Sequence, residues 1–377
     1  MGDVISQTIP GEDRAKRYSE LKHKLSIRKS LLSFCVLFFI FISGLSKEFE
    51  RISYSFSHND YFALLVFVFL IGLVEGVVTF PLSFYSAFII EHKFNLSNQT
   101  LFSYFREELK GFAVGAVLGI PVILIFYYII KNYPSVWWLI MGIVLFIFST
   151  LVARIMPVLI LPLFYKFKPV ENESLNKKIL ALSEKIGVRI KGVFTFNMSK
   201  DTKKANAAFT GLGKSKRIIL GDTLLENFTE NEIESVFAHE LGHYRMKHIR
   251  KLLFLSTVIT FSGLYLTSLL YSKSLSFFYI PNVWTLSALP LLLLYLFAFF
   301  TVISPLSNYV SRRFEWQADK FALQICSDNL SFASALEKLA EQNLSDKNPK
   351  KKTEILFHSH PSLSKRIEYA KNFKNRN

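Results

Sequence analysis

The 377-residue sequence predicts a mainly α-helical, polytopic membrane protein with about six transmembrane helices and a mixed α+β polar domain on the cytoplasmic side. Three observations predict this. Mean hydropathy is +0.29 and 51% of residues are hydrophobic, where soluble globular chains usually fall below zero. Six apolar runs are each close to or longer than the ~20 residues needed to cross a bilayer. The polar residues gather in two long blocks, which six crossings place on one side of the membrane.

The runs lie at about 30–46, 61–90, 111–130, 136–160, 251–271 and 284–307. The first is short, and the second is long and holds Glu75 and Pro81. An acid in mid-span is costly unless it faces protein or water, so Glu75 is expected either to line an internal chamber or to bond a neighbouring helix. No cleavable-signal pattern precedes the first run. Cys35 and Cys326 are too few for a disulfide scaffold or a Cys-rich zinc cluster.

Net charge is +16, from 45 Lys and Arg against 29 Asp and Glu. Arg14, Lys16, Arg17, Lys22, Lys24, Arg28 and Lys29 precede the first span and argue for a cytoplasmic N-terminus. Six crossings then leave only Lys47, Arg51, Lys131 and Lys273 in the outer loops. All other basic residues fall on the inner side, so the topology explains the charge. No nucleic-acid partner is expected.

The chain divides into residues 1–160 (a basic segment and spans one to four), 161–250 (a polar block), 251–307 (spans five and six) and 308–377 (a second polar block). The two blocks are too long to be simple connections and are expected to pack as one domain. Asn176–Gly187 reads as an amphipathic helix and Val188–Phe196 as a strand. Two short strands, Asn206–Thr210 and Arg217–Leu220, flank the turn 211–214. Thr229 with Glu232 three residues on is a capping box that starts the next helix. The Lys-rich run 347–352 reads as a solvated loop.

That helix carries His239-Glu240-Leu241-Gly242-His243, an H-E-x-x-H motif. Histidines four apart share one helical face and can grip a single zinc ion. Glu240 stands beside the metal, where a carboxylate can take the proton of an activated water. A catalytic zinc usually has three protein ligands and one open position. The best third ligand is Glu315. Asp319, on the same helical face, could accept the free N–H of a ligand histidine. The competing reading makes Glu315 a surface ion-pair partner of Arg312 or Arg313. His248, about 140° round a continuous helix from His243, is expected to stay off the metal-binding face. His358 reads as an ordinary polar histidine.

At these residues the chain resembles the integral-membrane zinc metalloproteases of the CAAX prenyl protease type 1 family. The resemblance runs from about Phe80 to Arg366. It rests on Phe80-Pro81, Ile90-Glu91-His92-Lys93-Phe94-Asn95 and Gln99-Thr100, then on 162–167, Ala205–Gly211 and Lys216–Leu220. The H-E-x-x-H, Arg313-Phe314-Glu315 with Ala318-Asp319, and Ser359-His360-Pro361 complete it.

The resemblance implies a gluzincin-type protease domain and one zinc ion per chain. It makes His239, His243 and Glu315 the ligands, Glu240 the general base and Asp319 the residue that orients a ligand. It implies that Asn206 contacts the substrate backbone, that His360 stabilises the oxyanion and that Arg366 shapes the nearby pocket. Without it, His360 is an unremarked loop histidine. It further implies a water-filled chamber walled by seven helices, whereas six spans are legible here and only 47–60 stands where extra membrane sequence would be.

The expected partners are therefore a peptide or lipidated peptide substrate and membrane lipids. The expected activity is endoproteolysis near the C-terminus of prenylated or other hydrophobic peptides. Alternatives are a general membrane quality-control metalloprotease, against which the spans before residue 160 argue, and a zinc-dependent scaffold without turnover, against which Glu240 argues. The expected location is a bacterial inner membrane or, in a eukaryote, the endoplasmic reticulum, with the site facing the cytoplasm.

Overall fold

Each apolar run falls mainly in a continuous helical stretch longer than itself, although the first run is cut after Ile42. The computed structural model describes residues 11–188, 190, 192–210, 217–326 and 328–374. Helix α1 (Gly11–Ile42) joins the basic N-terminal segment to the first apolar run without a break. It ends where Gly44 takes a left-handed conformation, φ 80°. Helix α2 (Leu45–Phe56) follows; its 12 residues reach about 18 Å, too short to span a bilayer. It buries Ser46, Phe49 and Ser53 and packs on α3 (Asp60–Phe84), whose start is capped by the Asn59 side chain.

The chain continues from α3 through a π-helical turn, Tyr85–Ile89, into the short α4 (Ile90–Lys93). Thr100 caps α5 (Leu101–Asn132). Helix α6 (Trp137–Ile155) runs through a second π-helical turn into α7 (Leu161–Phe164). Past the first polar block come α11 (His248–Phe277) and α12 (Leu289–Ile325). Among the described residues six helices are thus long and apolar enough to cross a membrane, as the sequence predicts.

Packing within these helices is uneven. The main apolar core gathers at the end remote from the polar domain, around Ile40, Phe67, Tyr127, Trp137, Tyr271 and Leu286. Five of the six spans bury only 11% to 22% of their most apolar window inside the chain. Glu75, near the middle of α3, accepts a hydrogen bond from Ser33 of α1, so the interhelical bond is the alternative observed.

The polar domain is built from both blocks. Strand β1 (Phe167–Pro169) precedes α8 (Glu173–Lys185), which Asn172 caps a little earlier than the sequence indicates. Strand β2 covers only Val193–Phe196. Of the earlier part of the expected strand, residues 189 and 191 lie outside the described residues, and the Gly192 carbonyl still accepts from the Ile218 N–H of β4 at 3.2 Å. Strands β3 (Ala207–Thr210) and β4 (Arg217–Gly221) form as expected, and the turn between them lies outside the described residues. The sheet order is β1-β2-β4-β3, antiparallel except for the β2–β4 pair, which leaves β3 at an edge. After α9 (Asp222–Asn227) comes α10 (Glu230–Arg245), packed on α12 and on α13 (Asn329–Gln342). Helices α14 (Lys351–Phe357) and α15 (Leu363–Asn372) close the domain.

Candidate active site

Helix α10 begins at the expected capping box: Thr229 Oγ1 accepts from the Glu232 N–H, and a Glu232 carboxylate oxygen accepts from the Thr229 N–H. Glu232 also accepts from Ser334 at 2.6 Å and Lys338 at 2.7 Å, both on α13. Burial alone would raise the Glu232 pKa, but these donors outweigh it and hold the carboxyl below its usual range. One turn before its end, α10 crosses α12 at Gly242. A Cβ at Gly242 would lie 3.0 Å from the Ala318 Cα, so only glycine lets the two backbones come this close.

This crossing lays the histidines of α10 against the carboxylates of α12. The Nε2 atoms of His239 and His243 are 3.1 Å apart. Glu315 Oε2 is 3.4 Å from His239 Nε2, and Glu315 Oε1 is 3.2 Å from His243 Nε2. The donor atoms of all three residues lie within 4.8 Å of one another. Neither arginine competes for Glu315. Arg312 donates to the carbonyls of Glu354, Ile355 and His358, and Arg313 to the Tyr309 hydroxyl. The surface ion-pair reading of Glu315 therefore does not hold.

Asp319 is fully buried behind His239, its Oδ1 2.8 Å from His239 Nδ1. Arg366, on α15, grips it with two parallel bonds, Nε to Oδ2 at 2.8 Å and NH2 to Oδ1 at 2.7 Å. The remaining guanidinium nitrogen is 3.5 Å from Glu315 Oε2. Arg366 is 6% exposed and still lines the cavity, between Asp319 behind the centre and Glu315 within it. Burial opposes a charge on His239, but Asp319 and Glu315 together hold its pKa up to about 9.

The geometry keeps His248 off the metal-binding face, as expected, and adds a contact behind His243 that the spacing does not predict. Lys247 takes a left-handed conformation, φ 57°, between α10 and α11, so the helix is not continuous there. His248 swings back to place its Nδ1 3.0 Å from His243 Nδ1 and its Nε2 2.9 Å from Gln317 Oε1. Its ring stacks on Phe314 with a centroid separation of 4.3 Å. Sequence reasoning missed His248 and Gln317. The one available signal was the pair of basic residues after His243, which marks a helix end.

The centre opens on a cavity of about 660 Å³. Glu240 lines it, half-buried, beside His239. Asn206 and Ala207 bring the open edge of β3 to the same cavity. His360 enters from the segment between α14 and α15, 60% exposed, with Nε2 3.4 Å from Glu315 Oε1. His358 also lines the cavity. The structure thus brings together all eight candidate residues: His239, Glu240, His243, Glu315, Asp319, Asn206, His360 and Arg366.

The donor set fits a metal ion. It comprises two imidazole nitrogens and a carboxylate, and Glu315 Oε2 is buried with no hydrogen-bond partner among the described residues. This is the N,N,O set of a catalytic zinc site.

A helical membrane scaffold with an H-E-x-x-H centre beneath it defines a multi-pass membrane metalloprotease. Residues 169–374 match peptidase family M48, and residues 3–166 match the family described as CAAX prenyl protease N-terminal, five membrane helices. The chain belongs to family M48. It is 31% identical to the uncharacterized metalloprotease YhfN of Bacillus subtilis, over 96% of this chain and 85% of that one. It is also 31% identical to CAAX prenyl protease 1 of Saccharomyces cerevisiae, over 80% of this chain and 71% of that one. The crystal structure of S. mikatae Ste24p superposes with a TM-score of 0.84 at 26% identity, covering 98% of this chain and 91% of that one. Against the five membrane helices of the N-terminal family, residues 11–166 hold four long helices and the short α2.

Proposed function

We propose that this metalloprotease is a zinc endopeptidase that cuts hydrophobic or lipidated peptides near their C-terminus, with its site on the cytoplasmic side. The observation that carries the reading is the His239, His243 and Glu315 cluster, set beside Glu240 in a cavity that reaches an open strand edge. His239, His243 and Glu315 would hold the ion. The chemistry zinc supplies at such a site is Lewis acidity toward water and the scissile carbonyl.

The remaining steps belong to the chain. Glu240 takes a proton from the attacking water and returns it to the leaving amine. His360 donates a hydrogen bond to the oxygen that gains negative charge. Asp319 holds the His239 ring in orientation, and Arg366 balances its charge. Asn206 and the edge of β3 bind the substrate backbone in extended form. Residues 161–250 and 308–377 act as one protease unit, since the centre takes ligands from both α10 and α12.

Two observations support a lipidated substrate. Relatives named CAAX prenyl protease 1 align over most of this chain. The spans pack at one end and five of the six are sparsely buried, as the walls of a chamber would be. The inner-side excess of Lys and Arg supports a cytoplasmic site.

The test is cleavage of one CAAX peptide, with and without its prenyl group, by the detergent-purified chain, with Glu240→Gln as background. Cleavage of the prenylated form alone supports the reading. Equal cleavage of both forms assigns general membrane proteolysis instead. No cleavage above the Glu240→Gln background sinks both.

A further inference from the structure

Beyond the metal centre, a second charged cluster that the mechanism does not use reaches the cavity wall through Tyr18 and Lys22. Tyr18 and Lys22 of α1 line the cavity together with Asn206, Glu240 and His360. Both are bound to Glu91 of α4, and so is Lys204, two residues before Asn206. Tyr18 donates to Glu91 Oε1 at 2.6 Å and Lys22 to the same oxygen at 2.9 Å. Lys204 lies 2.9 Å from Glu91 Oε2 and donates to the Tyr18 hydroxyl at 2.8 Å.

Each ammonium group has three N–H donors. Lys22 uses its second on the Ser86 carbonyl at 2.9 Å, and Lys204 uses two on Glu91 and Tyr18. One donor on each lysine is unspent among the described residues. Two cations share one carboxylate, so the cluster carries a net charge of +1. The lysine side chains keep 32% and 30% of their surface exposed.

Strand direction says which anion belongs there. A peptide added to the open edge of β3 pairs antiparallel in the commoner mode. Strand β3 starts at Ala207, with Lys204 three residues before it. The added peptide therefore runs its C-terminal end past Asn206 toward Lys204 and Lys22. Three extended residues cover about 10 Å.

We infer that Lys22 and Lys204 form a binding site for the C-terminal carboxylate of the substrate peptide. The inference rests on the proteolytic reading and deepens it: the site holds the chain end, and the distance from Lys204 to the metal centre sets how near that end the cut falls. Glu91 and Tyr18 hold the two ammonium groups in place.

Binding to the full-length Glu240→Gln chain in detergent tests this without turnover. The probes are a fluorescein-labelled, eight-residue apolar peptide as the free acid and the same peptide as the C-terminal amide, followed by fluorescence anisotropy. The acid is expected to bind at least about tenfold more tightly, or about 1.4 kcal/mol. Lys22→Gln and Lys204→Gln each cut that preference to less than threefold, while Lys22→Arg keeps most of it. Equal binding of acid and amide overturns the inference, as does failure of both to bind. So does an equal loss for both peptides in Lys22→Gln, which makes the lysine only a tie between helices. Acid preference in binding with no cleavage by the unmodified chain keeps this site and sinks the protease reading. Cleavage without acid preference does the reverse.

Discussion

His248 stands back to back with His243, their Nδ1 atoms 3.0 Å apart. For His243 to offer Nε2 to a metal, its proton must sit on Nδ1, where His248 Nδ1 can accept it. His248 then carries its own proton on Nε2 and donates it to Gln317 Oε1, 2.9 Å away. The chain of bonds fixes one tautomer of His243 and one ring orientation. His248→Phe keeps the stack on Phe314 but removes the acceptor. Zinc affinity, measured by competition with a chromophoric chelator, should fall about 10- to 100-fold. An unchanged affinity removes His248 from the centre.

Gly242 is the second lever on the same geometry. In Gly242→Ala the new methyl meets the Ala318 backbone, and backbone cannot swing aside as a flexible side chain does. Helices α10 and α12 must part, carrying His239 and His243 away from Glu315. Overpacking of this kind costs about 1–3 kcal/mol. The expected result is a lower Tm together with weaker zinc retention on dialysis. A variant that loses stability and keeps its metal would show that the helix spacing does not govern the centre.

The centre and the spans were legible because each is announced by local rules. Spacing puts His239 and His243 on one face, and span length follows from bilayer thickness. Glu315 is read from its helical spacing with Asp319 and from the family resemblance, and only the crossing at Gly242 shows why it meets His239. What was not legible depends on backbone turns and on distant partners. The contact of His248 with His243 is not legible because one left-handed residue, Lys247, ends a helix that the pattern continues. The apolar alternation carries the expected strand back to Val188, whereas β2 begins at Val193. Strand β1 has three residues, one of them a proline, and is defined only by its pairing with β2. The cluster around Glu91 joins residues 18, 22, 91 and 204, which no spacing rule connects.

Arg366 and Asp319 form a buried bidentate pair, and breaking it from one side strands a charge. Arg366→Leu leaves Asp319 without its main counter-charge. The cost expected for such a break is about 3–5 kcal/mol, read as a large fall in Tm. Arg366→Lys keeps the charge but cannot make both bonds, so it should lie between the two. In the double variant Asp319→Asn, Arg366→Leu the stranded charge is gone, and stability should exceed that of Arg366→Leu alone. If the double variant is the less stable, the pair is not what holds these residues.

Glu232 makes the stability of α10 depend on pH. Its folded-state pKa lies below the unfolded value because the Lys338 and Ser334 donors and the Thr229 N–H outweigh burial. The unfolded chain therefore binds the proton more readily than the folded one. The stabilisation is fully present above the unfolded glutamate pKa, roughly 4.3, and is lost as pH falls through the folded value. Glu232→Gln should lower Tm at pH 7, where it removes an ion pair and weakens a cap of about 1 kcal/mol. It should also flatten the fall in Tm between pH 6 and pH 4, because the position no longer titrates. Thermal unfolding of both proteins across that range in one detergent checks the prediction. Parallel curves for the two would mean that other carboxylates, such as Glu354 with its Lys365 and Ser362 donors, carry the acid sensitivity.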